Sequence, residues 1–205
     1  MKKALSILTV LLAIQPLSSQ AGITLLGGLN FASPSYTNAV SPITTTTNSA
    51  VSFGVLFDKS FTPLFAIESG LLYNNENVGA TSTGFAGSIK MKRLHIPLML
   101  RMTALPFVSV GAGLYYENGT GDVTVDYTLP TTTSLTQSYS AASLKKEDYG
   151  MDFDVRFKMP LTPGLGLVLD CRYQLGLMQR STDTALGSSY KSKNITALAG
   201  VQLGF

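Results

Sequence analysis

The chain has one cysteine, one histidine and no tryptophan among its 205 residues, and only 13% of them are charged. A lone cysteine, Cys171, excludes an internal disulfide, so the fold must be held by packing and backbone hydrogen bonds. A lone histidine, His95, with no cysteine beside it is a poor metal ligand, and no cofactor or metal site is expected. Nucleophilic catalysis needs serine, histidine and a carboxylate converging on one face. His95 is followed by Ile96 and Pro97, with no serine two positions on, so the chain is not expected to be an enzyme. A formal charge of only +3 gives no basis for a nucleic-acid partner. Long apolar runs are also missing after residue 21, where nothing approaches the ~20 residues of a spanning helix. Yet 45% of the residues are hydrophobic, so they must be interleaved with polar ones.

The N-terminus is the exception. Lys2 and Lys3 precede an apolar run from Ala4 to Ile14, then Pro16 and the small residues that end at Ala21. This is the layout of a secretory signal peptide, expected to span residues 1–21 and to leave residues 22–205 as the mature domain. No cysteine lies near the cut, which disfavours a lipid-anchored lipoprotein. Losing the two lysines lowers the formal charge to +1.

The interleaving is clearest from Leu165 to Met178. Leu165, Leu167, Leu169, Cys171, Tyr173, Leu175 and Leu177 alternate with Gly166, Asp170, Arg172, Gln174 and Gly176. Alternate side chains of a strand point to opposite faces, so one face is oily and the other ionised. The pattern lasts about as long as the 9–11 residues that cross a bilayer at a tilt, whereas ordinary strands average about 5 or 6.

The same alternation marks eight strands: Gly22–Ser33, Ala50–Phe57, Leu64–Asn75, Ser88–Met102, Pro106–Asn118, Glu147–Lys158, Leu165–Met178 and a last one ending at Phe205. The connections alternate long and short. Pro34–Ser49, Glu76–Gly87, Gly119–Lys146 and Gln179–Lys193 read as long polar loops, with Val123–Leu129 alternating enough to extend a strand outside. These features predict an all-β, eight-stranded antiparallel up-and-down transmembrane barrel, with long loops outside and short turns in the periplasm. Outward aromatics sort into two girdles, Phe57, Phe65, Phe107, Phe157 and Phe205 at one rim and Phe31, Tyr73, Tyr116 and Tyr149 at the other.

Parity turns Glu68, Glu117, Asp152, Asp154 and Asp170 inward together with Arg93, Arg101, Arg156, Lys158 and Arg172. An eight-stranded interior is only wide enough to be filled by side chains, so these ten residues are expected to form an ion-pair plug. Gly28, Gly70, Gly111, Gly113, Gly166, Gly176 and Gly200 also face inward and make room for them, His95 is expected to be a hydrogen-bonded lumen residue, and Pro97 is expected to mark a bulge.

The segments RLHIPLMLR at Arg93–Arg101, PFVSVGAGLYY at Pro106–Tyr116, RYQLGL at Arg172–Leu177 and the closing AGVQLGF resemble the outer-membrane β-barrel domain family of small porin-like proteins, PorT-like members included. The resemblance implies an integral outer-membrane protein of the Gram-negative type, with outer-membrane lipid and the assembly machinery as its partners. It also implies that Phe205 is the C-terminal aromatic that this machinery reads. It carries over no catalytic residue. A structural or surface-interaction role with the long loops outside is the leading expectation, the external ligand being unknown. A narrow passive porin, a lipid-modifying barrel enzyme with His95 as its one candidate group, and a soluble lipocalin-type carrier of inverted polarity are the alternatives.

Overall fold

The computed structural model describes residues 21–33, 35–37, 44–82, 85–129, 131–180 and 189–204. These form twelve strands: β1 (Ala21–Ala32), β2 (Ser35–Thr37), β3 (Thr44–Ser60), β4 (Phe65–Ser82), β5 (Phe85–Leu105), β6 (Val108–Gly119), β7 (Val123–Leu129), β8 (Thr131–Gln137), β9 (Glu147–Thr162), β10 (Leu165–Gly176), β11 (Ser189–Lys191) and β12 (Lys193–Gly204). Eight of them close a ring, in the order β1, β12, β10, β9, β6, β5, β4, β3 and back to β1. Every pairing is antiparallel, and the first and last strands meet in register from Gly22 opposite Gly204 to Ala32 opposite Asn194.

The polarity follows the parity of the sequence. Along β10, Leu167, Leu169 and Cys171 are exposed on the outer face, while Gly166, Val168, Asp170, Arg172 and Gln174 are buried inside. On β12, Ile195, Val201 and Leu203 are exposed, and Asn194, Thr196 and Gln202 are buried. Phe57, Phe107 and Phe157 stand exposed toward the short-turn end. Tyr116 and Tyr149 stand exposed toward the other end, directly opposite each other on β6 and β9.

The interior is not uniformly polar. Leu26, Leu56, Leu72, Val168 and Leu198 form an apolar cluster on the inner wall of β1, β3, β4, β10 and β12. Glycine makes this possible: Gly200 pairs with Leu26 and Gly54 with Leu72, so each large side chain leans across a residue without one. A Cβ at Gly200 would strike the carbonyl oxygen of Leu25, and one at Gly54 the carbonyl oxygen of Leu71.

Several sequence expectations are corrected. The short connections are shorter than read: β3 runs on to Ser60 and β9 to Thr162, leaving turns at residues 61–64, 106–107 and 163–164. At the other end, two segments read as loops are largely strand. Residues 44–49 belong to β3, and the stretch from Glu76 to Gly87 carries the end of β4 and the start of β5. Above the barrel neither face meets lipid, so the oily alternation that marks a spanning strand disappears while the ladder continues. The passage out of the barrel is marked on β3 by a register shift between Asn48 and Ser52.

Pro97 does not make a bulge. It stays in step opposite Tyr115, and the β4–β5 register is unchanged on either side of it, from Leu72 opposite His95 to Ser69 opposite Leu98. The ring nitrogen only removes a donor toward β4, and the Ser69 hydroxyl donates to the Pro97 carbonyl at 2.8 Å.

Val123–Leu129, read as a possible extension, is strand β7, which pairs with the upper part of β5; β8 then pairs with β7. Beyond β8 the chain turns back over the mouth of the barrel, where Met91, Val123, Val125 and Tyr139 form a second small core. Burial pushes the Tyr139 hydroxyl up to about 12, so it stays protonated and donates to the Lys92 carbonyl at 2.9 Å. Residues 1–20, the expected signal segment up to its last residue, and Phe205 lie outside the described residues.

Candidate functional site

The chemistry lies in two connected layers inside the ring. In the layer nearer the short turns, Arg172 on β10 is fully buried, and its Nη2 lies 2.9 Å from Glu68 on β4 and 3.3 Å from Asp154 on β9. Its Nε reaches Asp170 at 3.6 Å and its Nη1 reaches Asp152 at 3.5 Å. Arg101 on β5 lies 2.9 Å from Glu68 and 2.5 Å from Asp154, while Arg156 on β9 lies 2.7 Å from both Glu68 and Asp170. Three guanidinium groups thus meet the three carboxylates of Glu68, Asp154 and Asp170. Glu68 touches all three arginines, which ties β4 to β5, β9 and β10 across the lumen.

The second layer begins at His95. Its Nδ1 lies 3.0 Å from Glu117 and its Nε2 2.9 Å from Asp152, so both ring nitrogens are engaged by carboxyl groups. The Tyr115 ring lies against it, with centroids 4.9 Å apart. Above, Arg93 reaches Glu76 and Glu117, each at 3.6 Å. Arg180 enters from the segment after β10 and lies 3.1 Å from Glu76 and 3.5 Å from Asp148. Asp148 also accepts a hydrogen bond from the Ser192 hydroxyl at 2.5 Å. Asn194 donates to Glu76 at 2.8 Å and to Gln174 at 3.1 Å, joining the layer to β12.

At the long-loop end, residues of the segment after β8 lie against the second layer. The Tyr139 ring lies 6.0 Å from the Arg93 guanidinium, the Lys145 carbonyl accepts from Arg93 at 3.4 Å, and the Lys145 amide donates to the Arg180 carbonyl at 2.8 Å.

Nine of the ten residues that sequence parity turned inward stand in these layers: Glu68, Arg93, Arg101, Glu117, Asp152, Asp154, Arg156, Asp170 and Arg172. Lys158 is the correction. It keeps its inward register opposite Val168 and lies beside Gly166, but at the short-turn mouth it is exposed and makes no ion pair among the described residues. Four members were missed by the sequence reading of the network. Asp148 shares the parity of Asp152, and Glu76 that of Asn74, so counting by two would have found both. His95 had been placed in the lumen but not among the ion pairs. Arg180 keeps the even parity of Arg172 and Gln174, but it lies past the last paired position of β10, in a stretch read as loop.

A ring of eight antiparallel strands, apolar outside and ion-paired within, defines the class of small transmembrane β-barrels. The family model described as outer membrane protein beta-barrel domain matches residues 15–180, and the chain belongs to this family. It is accordingly an outer-membrane protein. Among solved structures, the outer membrane protein OprG from Pseudomonas aeruginosa is similar with a TM-score of 0.57 and 14% identity, over 92% of this chain and 96% of that one. Ail, the attachment invasion locus protein of Yersinia pestis, gives 0.48 and 9%, over 91% and 99% of the two chains. The N-terminal β-barrel domain of Pseudomonas aeruginosa OprF gives 0.43 and 12%, over 92% and 100%. The likeness to OprG is one of fold. No curated protein matches the chain in sequence.

Proposed function

We propose that this protein is a closed barrel, its lumen plugged by ion pairs, serving a structural or surface-interaction role at the outer membrane rather than conduction or catalysis. The observation that carries the reading is the layer centred on Glu68, where one carboxylate meets Arg101, Arg156 and Arg172 at 2.7–2.9 Å and spans the lumen from β4 to β9 and β10. Ions would have to separate these groups to pass, and buried pairs broken in this way typically cost about 3–5 kcal/mol.

A non-enzymatic role is supported by His95, whose two nitrogens are both engaged by carboxylates and which is buried against Tyr115. Residues 1–21 act in this reading as the export signal and residues 22–205 as the barrel. Outer-membrane lipid is the solvent of the outer face, and Phe205 is the aromatic recognised by the assembly machinery.

Planar-bilayer recording of the purified folded protein tests the closed lumen. Insertion is expected to leave the membrane at its baseline conductance. Steady ohmic steps from every inserted molecule would instead make it a narrow porin.

A further inference from the structure

Beyond the membrane-spanning ring, β3, β4 and β5 continue outward, β7 adds to β5, and β8 adds to β7. The barrel wall therefore rises on one side as a curved sheet whose last strand is β8. Each strand of the ring is paired on both sides, but no described strand pairs with the other edge of β8. Among the described residues, its backbone donors and acceptors along that edge have no strand to meet.

Edge strands are normally blunted by charge, proline, a bulge or brevity. Residues 131–137, TTTSLTQ, have none of these: seven residues without charge, proline or glycine, in unbroken register with β7 from Leu129 opposite Thr131 to Val123 opposite Gln137. Threonine favours the extended conformation, and the strand is pinned to its neighbour where Ser134 donates to Asp126 at 2.6 Å. The nearest charges neutralise each other, with Lys90 2.9 Å from Asp126. The hydrogen bond from Ser134, together with Lys90, holds the Asp126 carboxyl below its ordinary value.

A second observation concerns the side chains. Leu135 pairs with Val125, one of the residues of the small core over the barrel mouth. The apolar face of that core runs across Val125 and Tyr127 to Leu135, which is 48% exposed, and stops at the free edge.

We propose that the free edge of β8 is a strand-addition site for an extended, uncharged polypeptide segment from outside the cell, carrying an apolar side chain that packs against Leu135. Main-chain hydrogen bonds supply affinity in this mode, and alternate side chains supply specificity. The lack of charge along the edge selects an uncharged segment, and the regular spacing of backbone groups matches another strand and no small solute. The inference deepens the surface-interaction reading and rests on it for which end faces outward. It does not depend on the closed lumen, so a conducting barrel would remove that part of the reading and leave the edge untouched.

The test uses the full chain folded in lipid nanodiscs and, as probe, an acetylated and amidated heptapeptide alternating threonine and valine, with the same peptide carrying a central proline as control. At millimolar probe, amide exchange at alternate positions of residues 131–137 is expected to slow at least tenfold, with no slowing by the control. Leu135→Lys is expected to weaken the effect severalfold while the barrel keeps its folded gel mobility. Unchanged exchange along residues 131–137 would overturn the proposal, as would equal protection by the proline control. Protection that rises with protein concentration and ignores the probe would also overturn it, making a second copy of this chain the occupant.

Discussion

Replacing Arg172 with methionine is expected to destabilise the folded barrel by about 3–5 kcal/mol, the usual consequence of removing one partner from a buried ionic set. Among the described residues, Arg172 alone is in contact with Glu68, Asp152, Asp154 and Asp170 together. Without it, Arg101 and Arg156 remain against the three buried carboxylates of Glu68, Asp154 and Asp170, and one negative charge is left without a partner cation. Methionine keeps the volume, so the loss reports charge and hydrogen bonding rather than a cavity. The check is urea unfolding in lipid vesicles, followed by the shift between folded and unfolded gel mobility, because the chain has no tryptophan to report by fluorescence. Adding Asp154→Leu to Arg172→Met is expected to recover part of the lost stability, since it leaves two carboxylates, Glu68 and Asp170, against the two remaining arginines. A double variant weaker by the sum of the two single losses would mean that these residues do not act as a set.

The second large effect belongs to the outer face. Leu169 lies midway along β10, is 59% exposed and is flanked by Ala199 and Phe157. Leu169→Arg is expected to cost about 2–4 kcal/mol in vesicles, the range for arginine at the bilayer midplane. Leu161 is 51% exposed, a similar fraction, but lies near the turn at residues 163–164. There the same substitution is expected to cost about 0–1 kcal/mol, because the side chain reaches the interface. Water would make no distinction between two exposed leucines. A depth-dependent penalty at matched exposure is therefore specific to a lipid-facing wall, and equal small penalties at the two sites would contradict it.

Where the sequence could be read, and where it could not, follows from the same physics. Period-two alternation located the spanning part of each ring strand, because lipid outside and packed polar groups inside impose opposite chemistry on neighbouring residues. Nine inward charges followed from that parity alone. Alternation fails where both faces meet water, which is why residues 44–49 and the extension of β4 past Glu76 looked like loops. It fails again where the inside is oily, as at Leu56 and Leu72, whose inward placement depends on a glycine of the adjoining strand that only the register reveals. Lys158 shows the limit of parity from the other side: direction was right, but depth decides whether a charge is buried. Arg180 keeps the inward parity as well, but it lies past the end of β10 in a stretch read as loop, where no ladder supports counting by two.

All of this depends on an oily exterior wrapped around an ionised filling, and the chain carries its own probe of that arrangement. Cys171, the only cysteine, lies at the middle of β10 on the outer face. In the folded protein reconstituted in vesicles, a spin label on Cys171 is expected to collide readily with dissolved oxygen and scarcely with a water-soluble nickel chelate, the accessibility pattern of the bilayer interior. High nickel accessibility together with low oxygen accessibility would place this face in water and contradict the account.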